Sequence, residues 1–509
     1  MMQVMDGKRM READAIALEE YQIPTLLLMD RAADALMKEV LRWHVKRVCI
    51  LCGLGNNGSD GLALATQLQR FTNISVSVVM LCEGNQMPAD GQVYHQIMRA
   101  LNIRSFIQPG LEDLRLLLHE SELLVDCLFG TGLNRGIDGL FYDVIESVNA
   151  SGKPVISCDI PSGIHADTGQ ILGTAVKAKV TVTFQNPKLG LYLEPGSLYC
   201  GDIVIADIGV PNVVMERLKS GFELLDQELA HRLLPPRARN ANKYTCGTAL
   251  IIGGSKGMSG ALQMCVKACL YSGCGLTTYA APACIMNALT SSLPQAMSIA
   301  VSDKQGHFDN EFCDELFKAA QNVDVIAFGC GAGRSEDVER ILERLLLIDK
   351  PLIIDADGLW ALSRRLPLLK KRRSATILTP HMGEMQRLCA VDKNALQSDV
   401  LRYAFDFVNE YPVTLVLKGM RTLILEKGRL RINTTGNEGL AKGGSGDVLC
   451  GMITALMAQQ KQAFDAASLG VYLHGLAADL QSQHTAFYAM TANELIQGIS
   501  DAFFAAMDE

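Results

Sequence analysis

The sequence has no long block of lysine or arginine, although 47 of its 509 residues are basic, against 55 acidic residues. Its formal net charge of −8 argues against a nucleic-acid-binding surface. Residues 1–20 are charged throughout and contain no apolar run, which predicts a cytoplasmic protein without a secretory signal peptide. The longest uncharged stretch, residues 268–302, contains glycine and proline and predicts buried helix, strand and turns rather than a membrane span.

Common signatures of metal binding and phosphate binding are also missing. No pair of cysteine or histidine clusters has the spacing of a zinc site. The fifteen cysteines are scattered through apolar segments and are predicted to be reduced core residues. Cys49 and Cys52 have the spacing of a redox motif, but they lie inside an apparent strand rather than at a helix start. The glycine-rich residues 253–260 lack the ending of a Walker A motif, and protein-kinase signatures are absent.

The most informative stretch that is present is the loop of residues 437–447, which leads into an apolar helical pattern. It contains four glycines, among them Gly443, Gly444 and Gly446. Glycine allows sharp turns and close approach to a ligand, and the unpaired N–H groups at a helix start suit a phosphate. Asp447 adds a carboxylate beside this loop, as phosphoryl transfer to a hydroxyl requires. The simpler interpretation is a helix cap.

Short apolar segments alternate with helical patterns in two series. Strands are predicted at residues 45–51, 74–81, 123–127, 154–158, 180–184 and 203–208, and then at 248–253, 276–280, 323–329, 351–357, 375–380, 413–418 and 422–426. Such alternation predicts an α/β protein with mostly parallel sheets covered on both faces. A charged helix followed by Ser220 and Gly221 indicates a junction within residues 213–228. We therefore predict two different domains, residues 1–220 and 221–509.

The predicted strand ends of the first domain carry glycine-rich or polar loops. Residues 53–58 match the G-x-G-x-x-G pattern of dinucleotide-binding folds, and Glu83 ends the next strand, as in an NAD-dependent dehydrogenase. A lone match of this kind is weak. Loops after parallel strands converge on one crevice, so Asn57, Asp126 and Ser162 could supply oxygen ligands to a cation. Alternatively, each of these side chains simply caps a helix or turn.

Residues 55–61, 130–135, 159–163, 167–169, 180–184 and 188–191 together resemble the NAD(P)H-hydrate epimerase domain. The resemblance covers about residues 1–215 and implies a Rossmann-like fold, a potassium ion held by Asn57, Asp126 and Ser162, and proton transfer by Asp159. The implied contacts to the hydrated nucleotide are Asn56, Asn57, Gly58, Ser59, Asp60, Gly130, Thr131, Gly132, Leu133, Asn134, Arg135, Gly136 and Asp159. Ser59 departs from the pattern, in which glycine is usual.

In the second domain, His381 follows a predicted strand and stands beside proline and glycine, which favours exposure in a cleft. Lys418 and Arg421 follow another strand and suit nucleotide phosphates, or are merely solvated charges. Together with residues 433–437, 443–447 and 472–475, these three residues and their loops resemble the ADP-dependent NAD(P)H-hydrate dehydratase domain, which has a ribokinase-like fold. The resemblance covers about residues 227–505.

This second resemblance implies that Asp447 is the catalytic base. The implied contacts to the hydrate are Ala261, Gly331, His381 and Asp447, and those to the nucleotide are Lys418, Gly419, Met420, Arg421, Thr422 and Gly446. Met382 stands where proline is usual, and Cys330 and Ala332 vary a loop that is usually glycine-proline-glycine-leucine.

The domain order resembles that of bacterial bifunctional NAD(P)H-hydrate repair enzymes. It implies that the first domain interconverts the R and S hydrates of NADH and NADPH with K⁺. The second domain would dehydrate the S form with ADP and Mg²⁺, releasing AMP and phosphate. The expected partners are these small molecules, with no nucleic acid and no membrane, and the resemblance is compatible with a homo-oligomer. The open alternatives are a ribokinase-type small-molecule kinase fused to a nucleotide-binding domain, an NAD-dependent dehydrogenase, and a non-catalytic N-terminal module.

Overall fold

The computed structural model describes residues 2–459 and 462–507. They divide into two compact units: the N-terminal unit, Gln3–Phe222, and the C-terminal unit, which starts at Glu223 and also includes Met2. The predicted domains 1–220 and 221–509 also contain residues 1, 460, 461, 508 and 509, which lie outside the described residues.

The N-terminal unit contains α1 (Gly7–Glu19), α2 (Thr25–Arg42), β1 (Arg47–Cys52), α3 (Asn56–Phe71), β2 (Ser75–Met80), α4 (Ala89–Ala100), β3 (Arg104–Ile107), α5 (Leu111–Glu120), β4 (Leu123–Cys127), α6 (Gly139–Ala150), β5 (Val155–Cys158), β6 (Val180–Phe184), β7 (Asp202–Ala206) and α7 (Asn212–Arg217). The strand β8 (Phe222–Leu225) begins at the boundary and belongs to the second sheet.

The C-terminal unit continues with α8 (Gln227–Leu233), β9 (Thr248–Ile252), α9 (Ser259–Tyr271), β10 (Leu276–Pro282), α10 (Met286–Ser292), β11 (Met297–Val301), β12 (Asp303–Lys304), β13 (His307–Phe308), α11 (Asp314–Gln321), β14 (Val325–Phe328), α12 (Glu336–Leu346), β15 (Leu352–Ile354), α13 (Asp357–Leu362), β16 (Thr376–Leu378), α14 (Met382–Cys389), α15 (Lys393–Ser398), α16 (Val400–Glu410), β17 (Thr414–Leu417), β18 (Leu423–Glu426), β19 (Arg429–Asn433), α17 (Ser445–Ala458), α18 (Ala463–Gln481) and α19 (Ala492–Met507).

The sheet of the N-terminal unit is parallel, with the strand order β3-β2-β1-β4-β5-β6-β7. Its central strands are buried because both faces carry an apolar core. In β1, Cys49 and Leu51 pack into one apolar cluster, whereas Val48, Ile50 and Cys52 pack into another. Continuous apolar strands are typical of sheets that are covered on both sides.

The strand order of this sheet changes direction between β1 and β4. In an open parallel sheet, a crevice forms at such a point, outside the carboxyl ends of the strands. The loop after β1 leads directly into α3, and the loop after β4 leads to α6. These are the two loops in which the family resemblance places most of the expected contacts with the hydrated nucleotide.

The larger sheet of the C-terminal unit has the order β11-β10-β9-β14-β15-β16-β17-β18-β19-β8. Its strands are parallel from β11 to β17 and antiparallel from β17 to β19. The helix α17 is buried from Val448 onward because α9 and α18 pack against it. A helix that is apolar all round needs such cover, and the packing fixes the position of its first turn.

The structure confirms the predicted α/β class and contains each of the thirteen strands that the sequence predicts, mostly with shifted ends. Residues 268–302 form helix, strand and turns as predicted, and no helix in the described part of the chain is long and apolar enough to span a membrane. The prediction for residues 213–228 was incomplete. They contain the short helix α7 and also the edge strand β8, whose pairing partner β19 is distant in sequence.

Candidate active sites

A cavity of about 730 Å³ lies at the carboxyl ends of the strands of the N-terminal unit. Its wall is formed by α1, α2, the start of α3 and the loop after β4. The predicted substrate contacts that line it are Asn56, Asn57, Asp60, Gly130, Thr131, Gly132, Leu133, Asn134, Arg135 and Asp159. The structure therefore brings both predicted loops to one cavity of a size that suits a small-molecule ligand.

Three predicted contacts, Gly58, Ser59 and Gly136, do not line this cavity. A Cβ atom at Gly58 would lie 2.0 Å from the carbonyl oxygen of Gly53, so the close backbone approach requires glycine. Ser59 is fully buried, and a Cβ atom at Gly91 would lie 2.3 Å from its hydroxyl oxygen. Ser59 therefore contacts α4, where Gly91 leaves the space that the serine needs.

Asp159 forms a buried ion pair with Lys188 at the cavity wall. The Lys188 ammonium also donates hydrogen bonds to Thr183 Oγ1 at 3.1 Å and to the Phe184 carbonyl at 3.0 Å. Asp159 accepts further hydrogen bonds from Thr183 and from the Phe184 backbone. Its φ of +64° is in the left-handed region, and such backbone strain is often found at functional sites. The carboxylate is thus held in one orientation.

Asp14 on α1 also lines the cavity, although no sequence pattern marks this residue. Burial raises the pKa of Asp14 to about 6, and the negative charge of Asp159 acts in the same direction against the pull of Lys188. Burial also raises the pKa of Asp60 well above its usual value. The cavity therefore contains one ion-paired carboxylate, Asp159, and two carboxyl groups whose pKa is raised by burial.

The three predicted cation ligands lie around the Phe129 peptide. Ser162 Oγ donates to Asp126 at 2.6 Å and accepts from the Phe129 N–H at 2.8 Å. The Asn57 amide donates to the carbonyl oxygens of Phe129 at 2.9 Å and Cys158 at 2.8 Å. Burial raises the pKa of Asp126, although hydrogen bonds from Ser162 oppose this. This buried group of oxygen atoms fits a hard cation.

Glu83, the acidic residue of the dehydrogenase interpretation, caps a short turn. Its side chain accepts a hydrogen bond from the backbone of Gln86, whose own side chain accepts from the Glu83 N–H at 2.9 Å. Glu83 is not part of the cavity wall. Local hydrogen bonds therefore account for this residue without a bound dinucleotide.

In the C-terminal unit, the glycine loop enters α17 through a left-handed turn. Gly444 has a φ of +98°, and a Cβ atom there would lie 2.6 Å from Met264 Sδ, so this position requires glycine. No side chain caps the start of α17. Its first N–H groups are consequently available to an anion, as expected at a helix N-terminus.

Asp447 lies in the first turn of α17 and is partly exposed. Burial raises the pKa of Asp447 to about 7, and repulsion from Asp355 acts in the same direction. A carboxyl group whose pKa is near neutral can accept a proton and release it again at physiological pH. Burial thus gives Asp447 a pKa that suits general-base catalysis.

Lys418 lies beside the same loop. Its Nζ is 2.9 Å from Asp355 Oδ1, and a Cβ atom at Gly446 would lie 3.3 Å from this Nζ. Burial lowers the pKa of Lys418, but the charges of Asp355 and Glu384 outweigh this effect, so the net shift is upward and the side chain stays cationic. The ends of β15 and β17 therefore meet the start of α17 at one point.

The predicted nucleotide contacts, residues 418–422, form the turn between β17 and β18. Met420 is exposed. Arg421 donates to the Thr434 carbonyl at 2.9 Å, and the Thr422 hydroxyl donates to the Gly419 carbonyl at 3.4 Å. The turn is thus held by one internal hydrogen bond and by one to Thr434, and it leads from the exposed surface to Lys418.

His381 is the N-cap of α14. Its Nδ1 accepts from the Gly383 N–H at 3.0 Å, and Glu384 accepts from the His381 N–H at 2.9 Å, which completes a capping box. The backbones of His381 and Lys418 form a parallel bridge, and the imidazole is 60% exposed. Helix capping thus accounts for the hydrogen bond to Nδ1, and the rest of the imidazole ring remains accessible to solvent beside Lys418.

The other two predicted hydrate contacts, Ala261 and Gly331, are neighbours. Gly331 has a φ of +66°, and a Cβ atom there would lie 3.1 Å from the Cβ of Ala261. Ser255 donates to the Gly331 carbonyl at 2.9 Å. Cys330 and Ala332 are buried, so these departures from the family pattern change the packing behind the loop.

Sequence reasoning assigned no role to His474 in the segment 472–475. The buried His474 donates from Nε2 to the Ser445 carbonyl at 2.9 Å. Burial lowers the pKa of His474 to about 4, so the ring is neutral at physiological pH. His474 therefore holds the glycine loop in place through Ser445. Its position within residues 472–475, which carry part of the family resemblance, was the only sequence feature that could have pointed to it.

The chain shares its C-terminal architecture with a solved structure, a ribokinase-like superfamily protein from Enterococcus faecalis V583. The TM-score is 0.50 at 27% sequence identity, covering 57% of this chain and 98% of that chain. The fold, together with the glycine loop that precedes α17, defines the C-terminal unit as a ribokinase-like domain.

Two family models match the chain: residues 249–501 match NAD(P)H-hydrate dehydratase, and residues 25–190 match YjeF-related protein N-terminus. The chain is 34% identical over 506 residues to a bifunctional NAD(P)H-hydrate repair enzyme from Moorella thermoacetica, covering 97% of this chain and 95% of the relative. It is 33% identical over 502 residues to the Coxiella burnetii counterpart, covering 97% and 98%. The chain belongs to the family of bifunctional NAD(P)H-hydrate repair enzymes.

Proposed function

We propose that this chain restores NADH and NADPH from their hydrates, by dehydration in the C-terminal unit and epimerisation in the N-terminal unit. Asp447 carries the proposal. It combines a pKa near 7, a position at an uncapped helix start and the proximity of the Lys418–Asp355 pair. This combination suits the phosphorylation of a hydroxyl group.

Dehydration begins with the transfer of the terminal phosphoryl group of ADP to the C6 hydroxyl of the S hydrate, which leaves AMP. Asp447 accepts the hydroxyl proton, and the N–H groups at the start of α17 stabilise the charge on the moving phosphoryl group. The lone pair of the ring nitrogen then expels phosphate, and loss of the C5 proton restores the C5–C6 double bond. The hydroxyl is phosphorylated only to make it a leaving group.

The nucleotide is proposed to bind along residues 418–422 and Gly446. Lys418 supports this, because its ammonium is fixed beside the helix start where the phosphates of ADP would bind. Mg²⁺ is expected to enter with ADP, since it is usually held through substrate phosphates in such sites. Ala261, Gly331 and His381 are proposed to contact the hydrate.

Epimerisation is proposed to take place in the cavity of the N-terminal unit. Asp159 takes the proton of the C6 hydroxyl while the bond between C6 and the ring nitrogen opens, and Asp14 protonates the nitrogen. Rotation and reclosure from the opposite face give the other epimer, and both protons return. One ion-paired carboxylate and one carboxyl group of raised pKa support this division into base and acid.

Potassium is proposed to bind at Asn57, Asp126 and Ser162. Asn57 would offer its oxygen after the amide turns over, since N and O are interchangeable in shape. The positive charge would stabilise the ionised form of Asp126 and fix the loop after β4.

We expect Asp14→Asn to slow the conversion of R to S hydrate about tenfold or more, a typical contribution of a general acid. Because the pKa of Asp14 is raised to about 6, the wild-type rate above the spontaneous one should fall as the pH rises through this value. The variant should lose that dependence. Glu12→Gln, on the exposed side of the same helix, is the matched control. An unchanged rate and pH profile in Asp14→Asn would exclude Asp14 as the acid.

The experiment that tests the proposed function is incubation of the chain with a hydrate mixture and ADP. We expect reduced nicotinamide to appear together with one AMP and one phosphate for each molecule repaired. A stable phosphorylated product would instead identify a ribokinase-type kinase. Hydride transfer to a second substrate would identify a dehydrogenase, and an unchanged R pool would identify a non-catalytic N-terminal module.

A cytoplasmic location is part of the proposal. All fifteen cysteines are free thiols, and all but Cys284 and Cys389 are buried, which supports a reducing compartment. Whether the chain forms a homo-oligomer does not affect the proposed chemistry.

A further inference from the structure

Three buried cysteines form a cluster behind Asp447. Cys265 on α9, Cys330 after β14 and Cys450 on α17 are at most 1% exposed, and their sulfur atoms all lie within 4.8 Å of one another. Within the described residues, no other group of three or more cysteine, histidine or acidic residues has its possible metal-ligand atoms this close together. We call it the thiol cluster.

Close backbone packing holds the thiol cluster together. A Cβ atom at Gly451 would lie 2.1 Å from the Cys265 carbonyl oxygen, so α9 and α17 are in direct backbone contact. A Cβ atom at Gly253 would lie 2.4 Å from the Cys330 carbonyl oxygen. Each sulfur is therefore positioned by rigid elements, as a preorganised site requires.

The cluster is directly linked to the dehydration site. Cys450 follows Asp447 by three residues on the same helix, so both side chains lie on one face of α17. The Cys330 thiol lies within hydrogen-bonding reach of the Asp447 carboxylate. Asp447 is partly exposed, so the buried cluster lies directly behind a residue that is open to solvent.

The chemistry of the cluster suits a metal ion. Thiolates are the metal-binding form of cysteine, so a bound ion would replace the thiol protons of Cys265, Cys330 and Cys450.

We propose that the thiol cluster binds one thiophilic divalent metal ion, such as Zn²⁺ or Cd²⁺, with the Asp447 carboxylate as the fourth ligand. Zinc–sulfur bonds of about 2.3 Å in a tetrahedron place sulfur atoms about 3.8 Å apart. Sulfur atoms within 4.8 Å of one another reach this spacing by small side-chain rotations. Asp447 lies outside this group of atoms, and its carboxylate turns towards the cluster to become the fourth ligand.

Metal binding takes Asp447 away from the dehydration reaction. A carboxylate bound to a metal ion cannot accept the substrate proton, so dehydration stops while epimerisation in the other unit continues. This regulatory part rests on the proposed function, whereas metal binding itself does not.

The test uses the reduced full chain with Cys284→Ser, which removes the exposed thiol. Cd²⁺ is added in steps, and binding is followed by ultraviolet thiolate-to-metal charge-transfer absorption and by equilibrium dialysis. The variants are Cys265→Ala and Cys450→Ala. The matched control is Cys269→Ala, which removes a buried thiol that lies on α9, like Cys265, but outside the cluster. Each variant is first checked for metal-free folding and for epimerisation.

We expect one tight Cd²⁺ per chain in the parent and in Cys269→Ala. The affinity for Cd²⁺ should fall by about a hundredfold or more in Cys265→Ala and Cys450→Ala. Each of these variants loses a direct metal ligand, which should cost more than the loss of a residue that only hydrogen-bonds to a ligand. The proposed metal site would be overturned if the parent showed no charge-transfer absorption, or if Cys265→Ala bound Cd²⁺ as tightly as the parent.

One equivalent of Cd²⁺ should stop dehydration but not epimerisation, and a chelator should restore it. Metal binding with undiminished dehydration would overturn the regulatory part alone. If the parent shows no dehydration even without metal, the proposed function fails, and the charge-transfer titration still decides whether the site exists.

Discussion

Replacement of Asp447 by asparagine is expected to reduce ADP-dependent recovery of NADH from its hydrate by about a thousandfold or more, within the range for loss of a positioned general base. Asparagine keeps the size of the side chain but cannot accept the hydroxyl proton. Because burial and Asp355 raise the pKa of Asp447 to about 7, the wild-type rate should rise with pH through this value. Epimerisation should be unchanged, since Asp447 is not part of the N-terminal unit.

The same substitution should stabilise the C-terminal unit at alkaline pH. The pKa of Asp447 is raised from 3.8 to about 7, so between these values the folded state binds more protons than the unfolded state. The free energy of unfolding therefore falls as the pH rises through this interval. Removal of the ionisable group should raise it at pH 8 by about 1–3 kcal/mol, after allowance for partial exposure.

Glu438→Gln is the matched control for Asp447, because Glu438 is an exposed carboxylate in the same loop. It should change neither the dehydration rate nor its pH profile. Near-wild-type dehydration by Asp447→Asn, measured by absorbance of reduced nicotinamide, would remove Asp447 from the role of base. Loss of dehydration together with lower stability would indicate a structural role instead.

Replacement of Asp159 by asparagine is expected to abolish epimerisation alone. The Asp159 carboxylate is fixed by Lys188, Thr183 and Phe184 at the wall of the cavity, and asparagine preserves the acceptor for Lys188 without a basic group. Alanine is a poorer choice, because it leaves the buried Lys188 without its partner, which costs about 3–5 kcal/mol.

With Asp159→Asn, the S fraction of a hydrate mixture should be repaired at the wild-type rate, and the R fraction should persist apart from spontaneous conversion. Asp138→Asn is a suitable control, since Asp138 is exposed and forms no side-chain cap at the start of α6. Repair of both epimers at the wild-type rate by Asp159→Asn would show that the base lies elsewhere.

The predicted strands and their loops were accessible from the sequence because buried parallel strands leave continuous apolar segments between helical patterns. The glycine loop was recognisable for a different reason: Gly444 needs its left-handed conformation and so requires glycine, and Asp447 follows three residues later. The edge strand β8 and its neighbour β19 are short, and β8 lies in a stretch whose charged residues favoured a junction. Their pairing depends on the assembled sheet.

The ion pairs between residues that are distant in sequence could not be predicted from the sequence. Lys418 and Asp355 are 63 residues apart, and Lys188 and Asp159 are 29 apart; strand order, not local pattern, brings them together. Asp14 lies on a charged helix with nothing local to mark it, and its raised pKa arises only from burial in the folded cavity. His381 is exposed, as predicted, whereas its position in a cleft stays a prediction. Its capping of α14 depends on a backbone that only the structure defines. The assignment of individual residues to catalysis and binding stays a prediction.

The most direct test of the account is the recovery of NADH from a defined mixture of R and S hydrate by the wild-type chain, with and without ADP. The account predicts complete recovery with ADP, accompanied by one phosphate for each NADH. Without ADP, it predicts rapid equilibration of the two epimers and no recovery. Recovery that stops at the S fraction, or that proceeds equally well without ADP, would contradict it.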